Sequence, residues 1–235
     1  MGEQNPPGRE FRPLNREQFE AFDSAAQATN DPLTKLTTRT IPYTGLRNGE
    51  FCHLRANWLK EKPKLGVTVL SVPQEEKCTG GIGTSDGEKD QSTRERPCYE
   101  CRNNRQGRWR PSSQYSVRKI PIEAEPVCEL LRDWFSKHEE IPILRDAVAR
   151  RVKSVADEAG IDRKVTPRDL RETYGMILAS KGFSREAIRG RMGLRHGNML
   201  PSTNDISVAY SMKFSDNNSD NNTNSESSAD DKDGN

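Results

Sequence analysis

Near the start of the chain Phe19, Phe22 and Ala25 recur at helical spacing on one face. Asn15, with Gln18 three residues later, fits a reciprocal N-terminal cap, which predicts a first helix running to about residue 28. Asn30-Asp31-Pro32 breaks it. The next apolar stretch, Ile41 to Leu54, contains Gly45 and Gly49 and predicts a short, bent helix. Leu65–Val72 and Val117–Ile122 have the β-branched, turn-bounded character of strands and are expected to pair as a hairpin. Between them Gln74–Ser116 is too polar and too long for a simple turn, and loops of that kind are usually either functional or disordered.

The second half reads as helix. Val127, Leu130, Leu131, Trp134 and Phe135 make one apolar stripe, and Val148, Val152, Val155 and Ala159 make another, closed by Gly160. Thr166 caps a helix with Pro167 at its first position, turning Leu170, Tyr174, Ile177 and Leu178 inward before Gly182. Ser184 caps a further short helix that stops at Gly193. The pattern predicts a mainly α fold with a small antiparallel β-hairpin or sheet, an α+β arrangement. Its expected layout is an N-terminal extension at 1–14, one domain over 15–212 with an inserted segment at 74–116, and a tail at 213–235.

Composition supports that layout. Hydrophobic and charged residues each make up 31% of the 235, a low apolar share that leaves part of the chain without a core to join. Phe214–Asn235 is nearly all Asp, Asn, Ser, Glu and Thr and reads as a disordered tail. It holds six acidic residues and Lys232, so a chain of net charge +2 leaves the rest at +7. A basic domain suits an anionic partner such as a phosphate backbone. No segment approaches the ~20 apolar residues of a membrane helix, and no leader pattern opens the chain, so the expectation is a cytoplasmic protein without a membrane partner.

Three segments carry candidate chemistry, in this order: Thr44-Gly45-Leu46-Arg47-Asn48-Gly49-Glu50 with Leu54-Arg55; Thr166-Pro167-Arg168-Asp169-Leu170-Arg171-Glu172-Thr173; and Ile188 to Gly197. Arginine forks suit phosphate because they bind it bidentately and stay charged. In sequence and order the three segments resemble the catalytic half of the tyrosine recombinases, the phage-integrase family, over roughly residues 15–212. The resemblance implies that Arg47 contacts a scissile phosphate with Glu50 in support, and that Arg171 is the second clamp. Arg168 stands where the family has His or sometimes Lys; it can contact phosphate but is a poor proton shuttle. Leu194 takes the usual place of the family's next histidine, which makes His196 the candidate proton donor, with a surface-loop role as its alternative. Tyr210 is the candidate nucleophile, though the family's register falls near Ile206, and Tyr210 could equally be a core residue. The family's hairpin lysine would fall at Ser112 or Ser113, leaving Lys119 as a substitute.

The family likeness further implies double-stranded DNA as partner, a covalent phosphotyrosyl intermediate, no cofactor for catalysis, and a homo-tetramer on DNA if the chain is active. Only about fifteen residues precede the first helix, too few for the DNA-clamping domain that precedes this half in the family. Two other readings stay open: a degenerate recombinase scaffold that grips DNA or a partner recombinase without cutting, and a zinc-knuckle adaptor.

Cys98-Tyr99-Glu100-Cys101 is a CxxC pair, and Cys78 lies upstream in the same inserted segment. These are three ligands of a candidate structural zinc whose fourth ligand the spacing does not identify, or else free thiols. Cys52 and Cys128, inside apolar stripes, read as small buried hydrophobes. Arg105, Arg108, Trp109 and Arg110, with Arg94, Arg96 and Arg102, form a basic cluster with an aromatic among them; it could follow a DNA backbone or stack on a base, or be a solvated Arg-rich loop.

Overall fold

A computed structural model describes residues 11–80, 88 and 96–195. The candidates His196 and Tyr210, and the tail, lie outside the described residues. Eight α-helices are described: α1 (Arg16–Ala28), α2 (Pro32–Thr44), α3 (Asn48–Phe51), α4 (Tyr99–Asn104), α5 (Glu125–Lys137), α6 (Arg145–Glu158), α7 (Pro167–Ser180) and α8 (Arg185–Met192). Strands β1 (Leu59–Lys62), β2 (Val67–Val72) and β5 (Arg118–Ile122) form an antiparallel sheet in the order β1-β2-β5. A second, two-stranded ladder joins β3 (Glu76–Lys77) to β4 (Arg108–Trp109) inside the inserted segment. The fold is the mainly α arrangement with a small antiparallel sheet that the sequence predicts. No helix among the described residues is long and apolar enough to cross a membrane.

The caps form as read. Asn15 accepts from the Gln18 backbone N–H while the Gln18 side chain accepts from that of Asn15, and Thr166 and Asp169 make the same reciprocal pair at the start of α7. Residues 11–14, counted with the N-terminal extension, are held on α7: Leu14 is buried and its N–H donates to Thr173 Oγ1 at 2.9 Å, and that of Arg12 donates to Glu172 Oε2 at 2.7 Å.

The bent helix expected over Ile41–Leu54 is not formed. Instead α2 begins nine residues earlier, with Asp31 accepting from the Leu33 N–H at 3.0 Å and Pro32 in the first turn, and it stops at Gly45. Gly45 has φ +61°, the left-handed conformation that a side chain disfavours. α2 is buried along most of its length and packs against α1, α5, α6 and α7. Its inner faces carry threonines whose hydroxyls donate back to the carbonyl four residues earlier: Thr37 to Leu33, Thr38 to Thr34 and Thr44 to Thr40, at 2.6–2.7 Å. Those bonds let a polar side chain sit in the core without an unmet donor.

Across β2 and β5, Leu70 faces Ile120, Thr68 faces Ile122 and Val72 faces Arg118. Alternation puts Arg118, Ile120 and Ile122 on the buried side and leaves Lys119 exposed. The end of α2, the short α3 and the end of α8 meet that buried edge.

Candidate phosphate site

Three guanidinium groups converge on one carboxylate. Glu50, buried in the single turn of α3, accepts from Arg118 Nη1 at 3.0 Å and Nη2 at 2.9 Å, one to each oxygen, in the fork geometry of a bidentate pair. It also accepts from Arg47 Nη1 at 2.8 Å and from the Arg47 backbone N–H at 2.9 Å. Burial, the largest single influence on Glu50, opposes its charge, but Arg118 and then Arg171 and Arg47 outweigh it and bring its pKa down to about 2. Its folded pKa therefore lies below the ordinary 4.5. Ionised Glu50 contributes stability in full above about pH 4.5 and loses it as pH falls towards 2, a contribution on the order of 3 kcal/mol. We expect the denaturation midpoint to fall through that window by about one proton's worth more in the native chain than in Glu50→Gln, measured by urea titration at stepped pH.

Arg171, on α7, is wholly buried, and its two terminal nitrogens donate to the backbone carbonyls of Gly45 and Met192. Burial, reinforced by the like charges of Arg47 and Arg118, holds its pKa well below the usual guanidinium value. Arg118 also donates to Gly45 O at 3.3 Å, Ser116 O at 2.8 Å and Arg191 O at 2.8 Å. Arg47 is the outermost of the three, its side chain 26% exposed, and it donates further to Ser116 Oγ at 2.8 Å and Gly193 O at 2.7 Å. Among the described residues Glu50 is the one carboxylate hydrogen-bonded to this trio, so the site carries more positive than negative charge. The arginines also tie together the chain reversals at Gly45 and Gly193, both left-handed at φ +61°.

No protein-family model matches the chain, and no curated protein does. Solved structures do. The chain superposes over 88% of its length on XerA recombinase at TM-score 0.54 and 15% identity, and over 91% on the XerH site-specific recombinase bound to its difH substrate at 0.55 and 14%. It also superposes over 88% on the Tn1549 transposon integrase in complex with transposon right-end DNA, at 0.55 and 18% identity. The chain has the tyrosine-recombinase catalytic-domain fold. It spans 66%, 53% and 67% of those three chains, between about half and two thirds of their lengths. At these identities the likeness is one of fold.

Within this recombinase fold the sequence candidates are distributed unevenly. Arg47, Glu50 and Arg171 come together. Arg168 donates to Glu172 at 2.8 Å, so its charge is engaged by a buried carboxylate on its own helix. Lys119 points away from the site, and Arg118, its neighbour in β5, enters it. Sequence reading missed Arg118, although its alternation with Ile120 and Ile122 marks it as inward-facing.

The inserted segment holds a second cluster. Cys78, Cys98 and Cys101 are buried and lie with His53, the residue three after Glu50; their ligand atoms are all within 4.8 Å of one another. Trp109 is a correction. Read as a stacking surface for an exposed base, it is 3% exposed and packed under this cluster, stacked on His53 at 5.3 Å between ring centroids and tilted against Trp58 at 5.0 Å. An aromatic in a polar loop was needed to cover the cluster, not to meet solvent. Arg108 and Arg110 remain half exposed or more and both donate to Glu75, while Arg105 donates to the Arg110 carbonyl. Cys52 and Cys128 are buried, as small hydrophobes would be.

Proposed function

We propose that the protein is a DNA-binding site-specific recombinase of the integrase type, taking a DNA phosphate against Arg47 and rejoining strands through a covalent phosphotyrosyl link. The observation that carries this is the excess of positive charge over the single carboxylate Glu50, with Arg47 at its solvent edge. Among the described residues the bonds of Arg47 engage three of its five N–H donors, which leaves part of the fork for phosphate oxygens. In the step itself the Tyr210 hydroxyl gives up its proton to solvent as its oxygen bonds to phosphorus, the bond from phosphorus to a deoxyribose oxygen breaks, and His196 supplies the proton that the leaving oxygen takes up. The bond energy is kept in the phosphotyrosine, so no nucleotide is consumed. Arginines aimed at the non-bridging oxygens stabilise the charge that builds there. A tetramer on two duplexes would complete the exchange.

One observation favours a second reading, a scaffold that grips DNA without cutting it. Arg171 is 3% exposed with its terminal nitrogens donating inward to backbone carbonyls, and Arg168 is paired with the buried carboxylate of Glu172. The two readings separate on nicked duplex DNA from the flanks of the coding region. A covalent protein–DNA adduct on a denaturing gel, lost in Tyr210→Phe, is the expected result. A native-gel shift without any adduct would establish the non-cutting reading, and no shift at all at low salt would overturn both. Arg47→Ala is expected to weaken the shift about tenfold or more, as loss of a charge-assisted phosphate contact does.

A further inference from the structure

Four metal-binding side chains from three stretches of chain meet beside the arginine site. Cys98 Sγ and Cys101 Sγ each lie 3.5 Å from His53 Nε2. A tetrahedral zinc with Zn–S of ~2.3 Å and Zn–N of ~2.0–2.1 Å has a sulfur-to-nitrogen edge of about 3.6 Å. The spacing therefore suits a shared ion.

We propose that Cys78, Cys98, Cys101 and His53 bind one zinc ion, which fastens the inserted segment to the turn that carries Glu50.

The surroundings of the cluster support a metal. His53 Nδ1 is 2.8 Å from the Gly49 carbonyl, a bond that keeps the proton on Nδ1 and turns the Nε2 lone pair towards the sulfurs. The Cys98 N–H points at Cys78 Sγ at 3.4 Å, the kind of backbone donor that steadies a thiolate. All four side chains are buried, and every corner of the tetrahedron is a protein ligand, so the site is closed and structural. Thiolates with an imidazole select zinc over the hard cations, which prefer oxygen. On binding, the three thiols release their protons to solvent as the bonds to metal form.

The inserted segment also needs such a tie. Its described secondary structure is a ladder of two residues on each side, the six residues of α4 and a single 3-10 turn at Gln114–Ser116, too little to hold itself together by apolar burial. Cys78 follows β3, Cys98 caps the start of α4 and Cys101 lies in its first turn. His53 belongs to the body of the fold, three residues from Glu50, and its hydrogen bond to Gly49 couples the ion to the Arg47–Glu50 turn. The zinc site is independent of whether the chain cuts DNA.

The test is metal analysis of the full chain purified without chelator from zinc-supplemented medium. One zinc per chain is expected, retained in the control Cys128→Ser and lost in Cys78→Ser and Cys101→Ser. His53→Cys is expected to keep one metal and, loaded with cobalt, to show a stronger thiolate-to-cobalt band than the native chain. Should the serine variants not fold, cobalt titration of the metal-stripped native chain decides the matter: a tetrahedral spectrum complete at one equivalent supports the site. Substoichiometric zinc with no tetrahedral cobalt spectrum overturns it, as does a Cys98–Cys101 disulfide in the native chain, or a His53→Cys spectrum identical to the native one.

Discussion

Glu50→Gln is expected to lower unfolding stability by about 3–5 kcal/mol, the usual result of removing one partner from a buried ion pair. The substitution is nearly isosteric, so packing contributes little to the loss. Electrostatics contributes most of it. The carboxylate now accepts a forked pair from Arg118 and two bonds from Arg47, and an amide in its place turns an N–H₂ group towards at least one of those donors. Two guanidiniums and the buried Arg171 are then left facing one another. Chemical denaturation checks the size of the effect, and a double-mutant cycle with Arg118→Met checks its origin. If the loss comes from stranded charge, the double variant should be more stable than the sum of the single changes predicts. A loss below about 1 kcal/mol in Glu50→Gln would mean that water, not Glu50, balances the arginines.

The elements that the sequence makes legible are those with a local signal. The caps at Asn15, Thr166 and Ser184 and the stops at Gly182 and Gly193 each depend on residues within one turn, and α1, α7 and α8 lie where those signals put them. α2 was hidden because its buried positions are written in threonine. A β-branched polar residue counts against a buried helix by propensity and by hydropathy, and at Thr37, Thr38 and Thr44 it is the hydroxyl bonds back to the preceding turn that reconcile it with the core. β1 was hidden for a different reason. Its Leu59-Lys60-Glu61-Lys62 is an exposed edge with no alternation to read, and it is a strand because β2 pairs with it.

The site divides along the same line. Arg47, Glu50 and Arg171 sit in short motifs and could be named from the chain alone. His53 could not be assigned to the cysteines by spacing, because 45 residues separate it from Cys98 and the contact depends on where the inserted segment folds back. Trp109 shows the opposite failure: an aromatic among arginines has the composition of a nucleic-acid surface, and burial under the cysteine cluster gives it another role. Arg118 was readable in principle, from strand period, but a charge at an inward position is commonly discounted unless a partner is known, and its partner lies 68 residues away.

Gly45→Ala should be nearly as damaging as the loss of Glu50, at about 3 kcal/mol, and for reasons that can be separated. The backbone at Gly45 is left-handed, which costs a residue with a side chain about 1–2 kcal/mol. A Cβ there would stand 2.3 Å from Tyr174 Cδ1 and 2.9 Å from Cε1, and Tyr174 is itself buried, so the ring must shift in a packed core at a further cost of about 1–3 kcal/mol. Gly160→Ala isolates the first contribution, since its φ of +68° is similar and nothing lies within 4 Å of the added methyl. The two variants should therefore differ by the steric part alone. They should differ in DNA affinity as well, because the Gly45 carbonyl takes hydrogen bonds from both Arg171 and Arg118, and moving it loosens the arginines that flank Arg47. Equal stability and equal native-gel shifts for the two variants would show that Tyr174 yields freely and that the Gly45 reversal is not what holds the guanidiniums in place.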